Sequence, residues 1–131
     1  MMDKKYRILI IDDAATIRLY HRNILEGAGF FVDEAINGFE ALEKILINPH
    51  YDLFLVDVNM PKIDGYAFLR NLRKMDIRQS PAIMISTEAQ ERDKDVAFKA
   101  GANFYIIKPV KPDYLIKLCR LFIGDGEYRD E

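Results

Sequence analysis

The stretch Leu53-Phe54-Leu55-Val56-Asp57 decides how this chain is read. Four consecutive apolar residues with no alternation describe a strand covered on both faces, as in the middle of a parallel sheet. Ending so buried a strand on a carboxylate is costly unless the charge has a task. The plainer alternative is that Asp57 opens the turn that follows through Pro61 and Gly65. Outward from here the same pattern repeats. Residues 6–11 form a short apolar run that stops at Asp12 and Asp13, 82–85 stops at Ser86, and 104–107 stops at Lys108-Pro109, while 30–35 reads as a further short strand. Between these runs the apolar residues change to helical spacing. Ile17, Tyr20, Ile24 and Leu25 mark a first helix closed by Gly27 and Gly29. Phe39, Leu42, Ile45 and Leu46 form a stripe over 38–47, ended by Asn48-Pro49, and Phe68, Leu69, Leu72 and Met75 mark a third helix. A fourth runs over 91–100 to Gly101, and Leu115, Leu118 and Phe122 mark a fifth.

Five strands alternating with five helices require right-handed crossovers and a parallel sheet with helices on both faces. The expectation is a flavodoxin-like, doubly wound (βα)5 three-layer sandwich. Its strand order, 2-1-3-4-5, is taken from folds of that type. One domain is expected over 1–123, with a flexible polar tail over 124–131. In such sheets ligands bind beyond the carboxyl ends of the strands, where the strand order reverses, here between strands one and three. Those two strands carry Asp12, Asp13 and Asp57.

Three carboxylates in one cleft repel one another unless a cation neutralises them, and Mg²⁺ suits them because it keeps waters and leaves positions for phosphate oxygens. Mn²⁺ is a substitute. No cluster of His and Cys suggests zinc; His21 is expected on a helix surface and His50 in a loop. Lys108 adds a cation and Ser86 a hydroxyl, so the cleft suits an incoming phosphoryl group, with Asp57 as the carboxylate nucleophile. Each residue has a plainer reading as well. Asp12 or Asp13 could cap the first helix, Ser86 or Thr87 could cap the fourth or begin its loop, and Lys108 could be a solvated strand end. The Lys108-Pro109 bond could be cis and so fix the direction of the lysine.

The chain has 131 residues, half of them apolar, with 19 basic and 21 acidic residues for a formal net charge of -2. That balance gives no surplus for nucleic acid or for an anionic membrane. No apolar run reaches the length of a membrane span, and the one cysteine, Cys119, is expected as a small core residue in a reducing, cytoplasmic setting.

Together these residues resemble the receiver domain of two-component response regulators, including its CheY-like, single-domain chemotaxis members. The resemblance rests on Ile11-Asp12-Asp13 with Arg18 following, Val56-Asp57-Val58-Asn59-Met60-Pro61, Asp64-Gly65, Ser86-Thr87-Glu88-Ala89, Ala100-Gly101-Ala102 and Tyr105-Ile106-Ile107-Lys108-Pro109. It implies that Asp13, Asp57 and the backbone carbonyl of Asn59 ligate Mg²⁺, with Asp12 acting through a water. It implies phosphate from a histidine kinase, Lys108 pairing with the phosphate, Ser86 moving to bond it, and Tyr105 turning inward near the fourth helix. Output would run through the fourth helix, fifth strand and fifth helix to a flagellar motor switch, a phosphotransfer protein or an effector enzyme. The chain would act as a monomer or as a phosphorylation-dependent dimer, catalysing only its own phosphorylation and dephosphorylation.

Two positions depart from the chemotaxis pattern. Ser86 stands in place of threonine with Thr87 after it, and alignment favours Ser86 as the switch hydroxyl; Val110 replaces the phenylalanine usual in motor-binding members. Asn59 and Glu88 resemble the water-orienting residues of rapidly dephosphorylating members, or are simply exposed loop residues. Other classes stand as alternatives: a Mg²⁺-dependent phosphatase with an aspartyl nucleophile, which wants a second acid where Asn59 stands, an FMN carrier, and an interaction module that never takes phosphate.

Overall fold

In a computed structural model, which describes residues 5–124, the chain folds as β1 (Arg7–Ile11), α1 (Ala15–Gly27), β2 (Phe31–Ala35), α2 (Gly38–Ile47), β3 (Leu53–Asp57), α3 (Gly65–Arg73), β4 (Ala82–Ser86), α4 (Glu91–Ala100), β5 (Phe104–Ile107) and α5 (Pro112–Ile123). The strands are parallel in the order β2-β1-β3-β4-β5. Gly124 closes α5 in the left-handed region with φ 78°. The rest of the expected tail, 125–131, lies outside the described residues.

The two faces of the sheet carry separate cores. Leu9, Ile11, Phe54, Val56, Ala82 and Met84 face α2, α3 and α4, where Ala41, Ile45, Phe68, Leu69, Leu72 and Ala97 close over them. Ile8, Ile10, Leu53, Leu55, Ile83, Ile85 and Ile106 face α1 and α5, against Leu25, Leu115, Leu118 and Cys119. Side chains alternate across a strand, so covering both faces makes every position of β3 and β4 buried. Each fully buried Leu or Ile contributes roughly 1.5–3 kcal/mol relative to exposure. Burial pushes the Cys119 thiol up to about 12, as expected of a packed, inert cysteine.

Three expectations are corrected. His21, expected on a helix surface, is buried, with 4% of its surface accessible, while Tyr20 points outward. Positions three and four beyond Ile17 both fit helical spacing, and packing selected His21. In α2 the inward stripe is Gly38, Ala41 and Ile45, and the bulky Phe39 and Leu46 are exposed. Gly38 sets this orientation, because a Cβ there would lie 2.8 Å from Ile63 Cγ2 and 3.3 Å from Phe68 Cβ. Finally, α3 ends at Arg73, so Met75 packs from the turn beyond the helix. Among the described residues no helix is long and apolar enough to cross a membrane.

Candidate functional site

Because β1 and β3 pair with Ile11 opposite Val56, the next residues, Asp12 just beyond β1 and Asp57 at the end of β3, stand at the same level. Carboxylate oxygens of Asp12, Asp13 and Asp57 lie within 4.8 Å of one another. β4 ends one strand away at the buried Ser86, and β5 leads into Lys108, whose backbone N–H donates to Ser86 O at 2.8 Å. The Lys108–Pro109 peptide bond is cis. Lys108 Nζ reaches back to Asp57 Oδ1 at 3.0 Å and to Asp12 Oδ2 at 3.7 Å.

Asp12 and Asp57 are buried and Asp13 is exposed. Burial pushes the Asp12 carboxyl above its usual range, opposed by the Ala14 N–H, Lys108 and Arg18. Burial, then the charge of Asp12, pushes Asp57 up, and the hydrogen bond from Lys108 pulls it back. Both carboxyls remain raised although the lysine is present, so one lysine does not balance this cluster. A hard divalent cation accepting carboxylate oxygens and keeping several waters fits the donor set.

The capping alternative for the aspartates does not describe α1. Its N-cap is Ala14, with no side-chain cap bond, and Asp12 Oδ1 instead accepts from the Ala14 N–H at 2.9 Å. In the loop after β3, Gly65 passes directly beneath the strand end. Its N–H donates to Val58 O at 3.0 Å, and a Cβ would lie 2.5 Å from Asp57 O and 2.7 Å from Met84 Cε. Glycine is therefore required by close approach. Asp64 then caps α3, accepting from the Ala67 N–H at 2.9 Å. Asn59 is exposed on this loop.

In the loop after β4, Ser86 Oγ accepts from the Glu88 N–H at 3.0 Å, while Thr87 and Glu88 are exposed. The N-cap of α4 is Gln90, so neither hydroxyl caps that helix. Tyr105 is buried and its hydroxyl donates to Glu88 O at 2.8 Å, which ties β5 to this loop. The hydroxyl of Tyr66 on α3 approaches Asp93 O at 3.4 Å; burial and then the neighbouring Tyr105 push it up to about 12.

Two sets of tertiary contacts have no counterpart in the sequence reading. Arg18 donates from Nη1 to Asp12 O at 2.7 Å and from Nε to Glu34 Oε1 at 2.8 Å. Arg73 is a half-buried hub between the end of α3 and Gly101. Arg18 was visible as part of the motif after the aspartates, but its partner Glu34 lies on another strand.

Residues 8–120 match the response regulator receiver domain. The chain is 33% identical over 123 residues to the chemotaxis protein CheY1 of Helicobacter pylori, covering 92% of this chain and 99% of that protein. It is 40% identical over 106 residues to the transcriptional regulatory protein ResD of Bacillus subtilis, covering 81% of this chain and 43% of ResD. The sensor protein EvgS of Escherichia coli is 37% identical over 114 residues, which are 87% of this chain and 9% of that protein. The chain thus spans less than half the length of ResD and under a tenth of EvgS. Among solved structures, a response regulator from Chloroflexus aurantiacus superposes with a TM-score of 0.87 at 33% identity, covering 92% of this chain and 99% of that one. Chemotaxis protein CheY4 of Vibrio cholerae gives 0.85 at 30% identity, covering 91% and 99%.

Proposed function

The chain belongs to the response regulator receiver domain family, and from that premise we propose that Asp57 accepts a phosphoryl group from the phosphohistidine of a histidine kinase. Receiver domains are signalling switches that typically bind Mg²⁺. In this reading Asp13, Asp57 and the backbone carbonyl of Asn59 hold the ion, Asp12 acts through a water, and Mn²⁺ can replace Mg²⁺. When bound, the ion offsets negative charge on the phosphoryl oxygens. The observation that carries the proposal is the cluster of three carboxylates within 4.8 Å of one another, one of them paired at 3.0 Å with Lys108.

An Asp57 carboxylate oxygen attacks phosphorus, the phosphorus–nitrogen bond breaks, and the imidazole leaves with its proton. The product is an acyl phosphate, and catalysis is mainly positioning and charge stabilisation. Lys108 then pairs with a phosphoryl oxygen. Ser86 gives up the Glu88 N–H and donates its hydroxyl to another, which shifts the loop that Tyr105 holds through Glu88 O. Asn59 and Glu88, both exposed on loops beside the cluster, orient the water that hydrolyses the acyl phosphate. No other turnover is assigned to the chain.

Output passes to a partner across the face formed by α4, β5 and α5, where Ile107, Lys111 and Tyr114 are exposed. The similarity to chemotaxis proteins over nearly their whole length supports a separate downstream protein, a flagellar motor switch, phosphotransfer protein or effector enzyme. Intact-mass measurement after incubation with acetyl phosphate and Mg²⁺ tests the mechanism. One phosphoryl adduct is expected in wild type and none in Asp57→Asn; a folded wild type that takes no phosphate sinks it.

A further inference from the structure

Asp12 is held by its backbone as well as by its carboxylate, and both backbone contacts lead to the end of β2. Its N–H donates to Ala35 O at 3.1 Å. Its carbonyl accepts from Arg18 Nη1 at 2.7 Å, and the same guanidinium donates from Nε to Glu34 Oε1 at 2.8 Å. Glu34 is fixed in turn: its second oxygen accepts from Arg22, and its backbone carbonyl accepts from Lys44. The hydrogen bond from Arg22, with that from Arg18 and the charges of both, outweighs partial burial and holds its carboxyl below the usual range. α1 has no side-chain N-cap and no acidic residue in its first turn, so the usual devices that fix a strand-to-helix loop are absent where Asp12 and Asp13 sit. With Asp12 Oδ1 engaged by the Ala14 N–H, the strap leaves Oδ2 directed toward Lys108.

We propose that Arg18, aimed by Glu34, is a positioning residue for the cation site: it locks the loop that presents Asp12 and Asp13 and so sets the affinity for a divalent ion. The proposal rests on the reading of Asp12, Asp13 and Asp57 as that site. Arg18 donates to the Asp12 carbonyl and to Glu34, so it would act on the ion only through the loop that carries Asp12 and Asp13. A carbonyl and a carboxylate lie at different edges of its planar fork, a geometry that a lysine ammonium does not reproduce. Partners that orient metal ligands without touching the metal typically carry about 10–100-fold of the affinity.

The test is calorimetric titration of Mg²⁺ into the unphosphorylated protein, with thermal unfolding in chelator followed in parallel. Arg18→Met is expected to weaken Mg²⁺ binding about ten-fold or more, and Glu34→Gln and Arg18→Lys to weaken it in the same direction. Arg78→Gln, which removes an exposed ion pair with Asp52 ahead of β3 and outside the strap, is expected to change it less than about two-fold. Faster amide exchange at Asp13 and Ala14 should accompany the loss in the Arg18 variants. Wild-type affinity in Arg18→Met overturns the proposal, whatever happens to its melting temperature. If that variant does not fold, wild-type affinity in both Glu34→Gln and Arg18→Lys overturns it. Absence of Mg²⁺ binding by wild type overturns the cation site itself, and the strap with it, whereas tight binding by wild type and variants alike overturns the strap alone.

Discussion

Lys108 Nζ lies 3.0 Å from Asp57 Oδ1 although β4 lies between β3, which ends at Asp57, and β5, which leads into Lys108. The lysine crosses above Ser86, to whose carbonyl its own backbone N–H is bonded at 2.8 Å. Asp57, Lys108 and Ser86, proposed above as nucleophile, phosphate-pairing cation and switch hydroxyl, are therefore parts of one cross-strand unit. Its electrostatics oppose ionisation of Asp57: burial first, then Asp12, raises the carboxyl above its unfolded value. A group with a raised folded pKa contributes stability below its unfolded pKa and loses it as pH rises through the folded one. At neutral pH the ionised cluster therefore works against the metal-free fold. Asp57→Asn is expected to stabilise the metal-free protein by about 1 kcal/mol in urea denaturation. Millimolar Mg²⁺ should raise the stability of wild type and raise that of the variant far less. A less stable variant in chelator contradicts this account.

His21 carries the opposite linkage. Burial, followed by the charge of Lys108, lowers its pKa from 6.5 to about 4. The folded protein keeps a neutral imidazole, while the unfolded chain takes up a proton below about 6.5. The contribution is intact at neutral pH and is lost as pH falls from 6.5 toward 4, reaching roughly 3 kcal/mol. Asp12 and Asp57 titrate the other way in the acid range, so the difference between wild type and His21→Leu isolates the histidine. Denaturation curves at pH 7 and pH 4.5 should show the variant losing less stability than wild type. Equal losses in the two proteins refute a buried neutral His21.

The strand ends were legible because a doubly covered parallel strand is an apolar run, and a charge that stops such a run is conspicuous. Asp12, Asp57, Ser86 and Lys108 could all be found that way. Helix faces were less legible. Tyr20 and His21 sit three and four residues after Ile17, and hydropathy chooses the tyrosine while packing buries the histidine. In α2 the true inner stripe begins with Gly38 and Ala41, whose small size permits close approach to Ile63 and Phe68 but gives no apolar signal. The pairing of Arg18 with Glu34 and of Arg73 with Gly101 is tertiary, and no local spacing announces it.

Arg73 is expected to be the costliest surface-reaching residue to remove. Its Nε and Nη2 donate to Gly101 O at 3.0 and 2.8 Å, and Nη1 donates to Ser80 O and to Gln79 Oε1, each at 2.8 Å. Nη2 also donates to Asn103 Oδ1 at 3.1 Å. The guanidinium thus joins the end of α3, the approach to β4 and the left-handed C-cap of α4, where Gly101 has φ 117°. Arg73→Met leaves these acceptors without their donor and should cost about 2–4 kcal/mol in urea denaturation. Arg73→Lys keeps the charge but not the fork, and should recover less than half of that. A loss below about 0.5 kcal/mol for the methionine variant contradicts the hub.

Gly65 and Asp64 are neighbours whose substitution should separate stability from the cation site. Asp64 faces solvent and caps α3 through the Ala67 N–H, so Asp64→Ala should cost about 1 kcal/mol and leave Mg²⁺ affinity unchanged. Gly65 lies against the strand end, and an added Cβ would meet Asp57 O at 2.5 Å and Val58 Cα at 3.0 Å. Neither contact is with a flexible side-chain tip, so the backbone that carries Asp57 and leads to Asn59 must shift. Gly65→Ala should cost about 1–3 kcal/mol from overpacking and also weaken Mg²⁺ binding, because the carbonyl assigned to Asn59 belongs to the displaced loop. Calorimetric titration of both variants discriminates the effects. Equal Mg²⁺ affinities in the two variants would show that the loop after β3 can move without disturbing the ligands, and would remove Asn59 from the cation site.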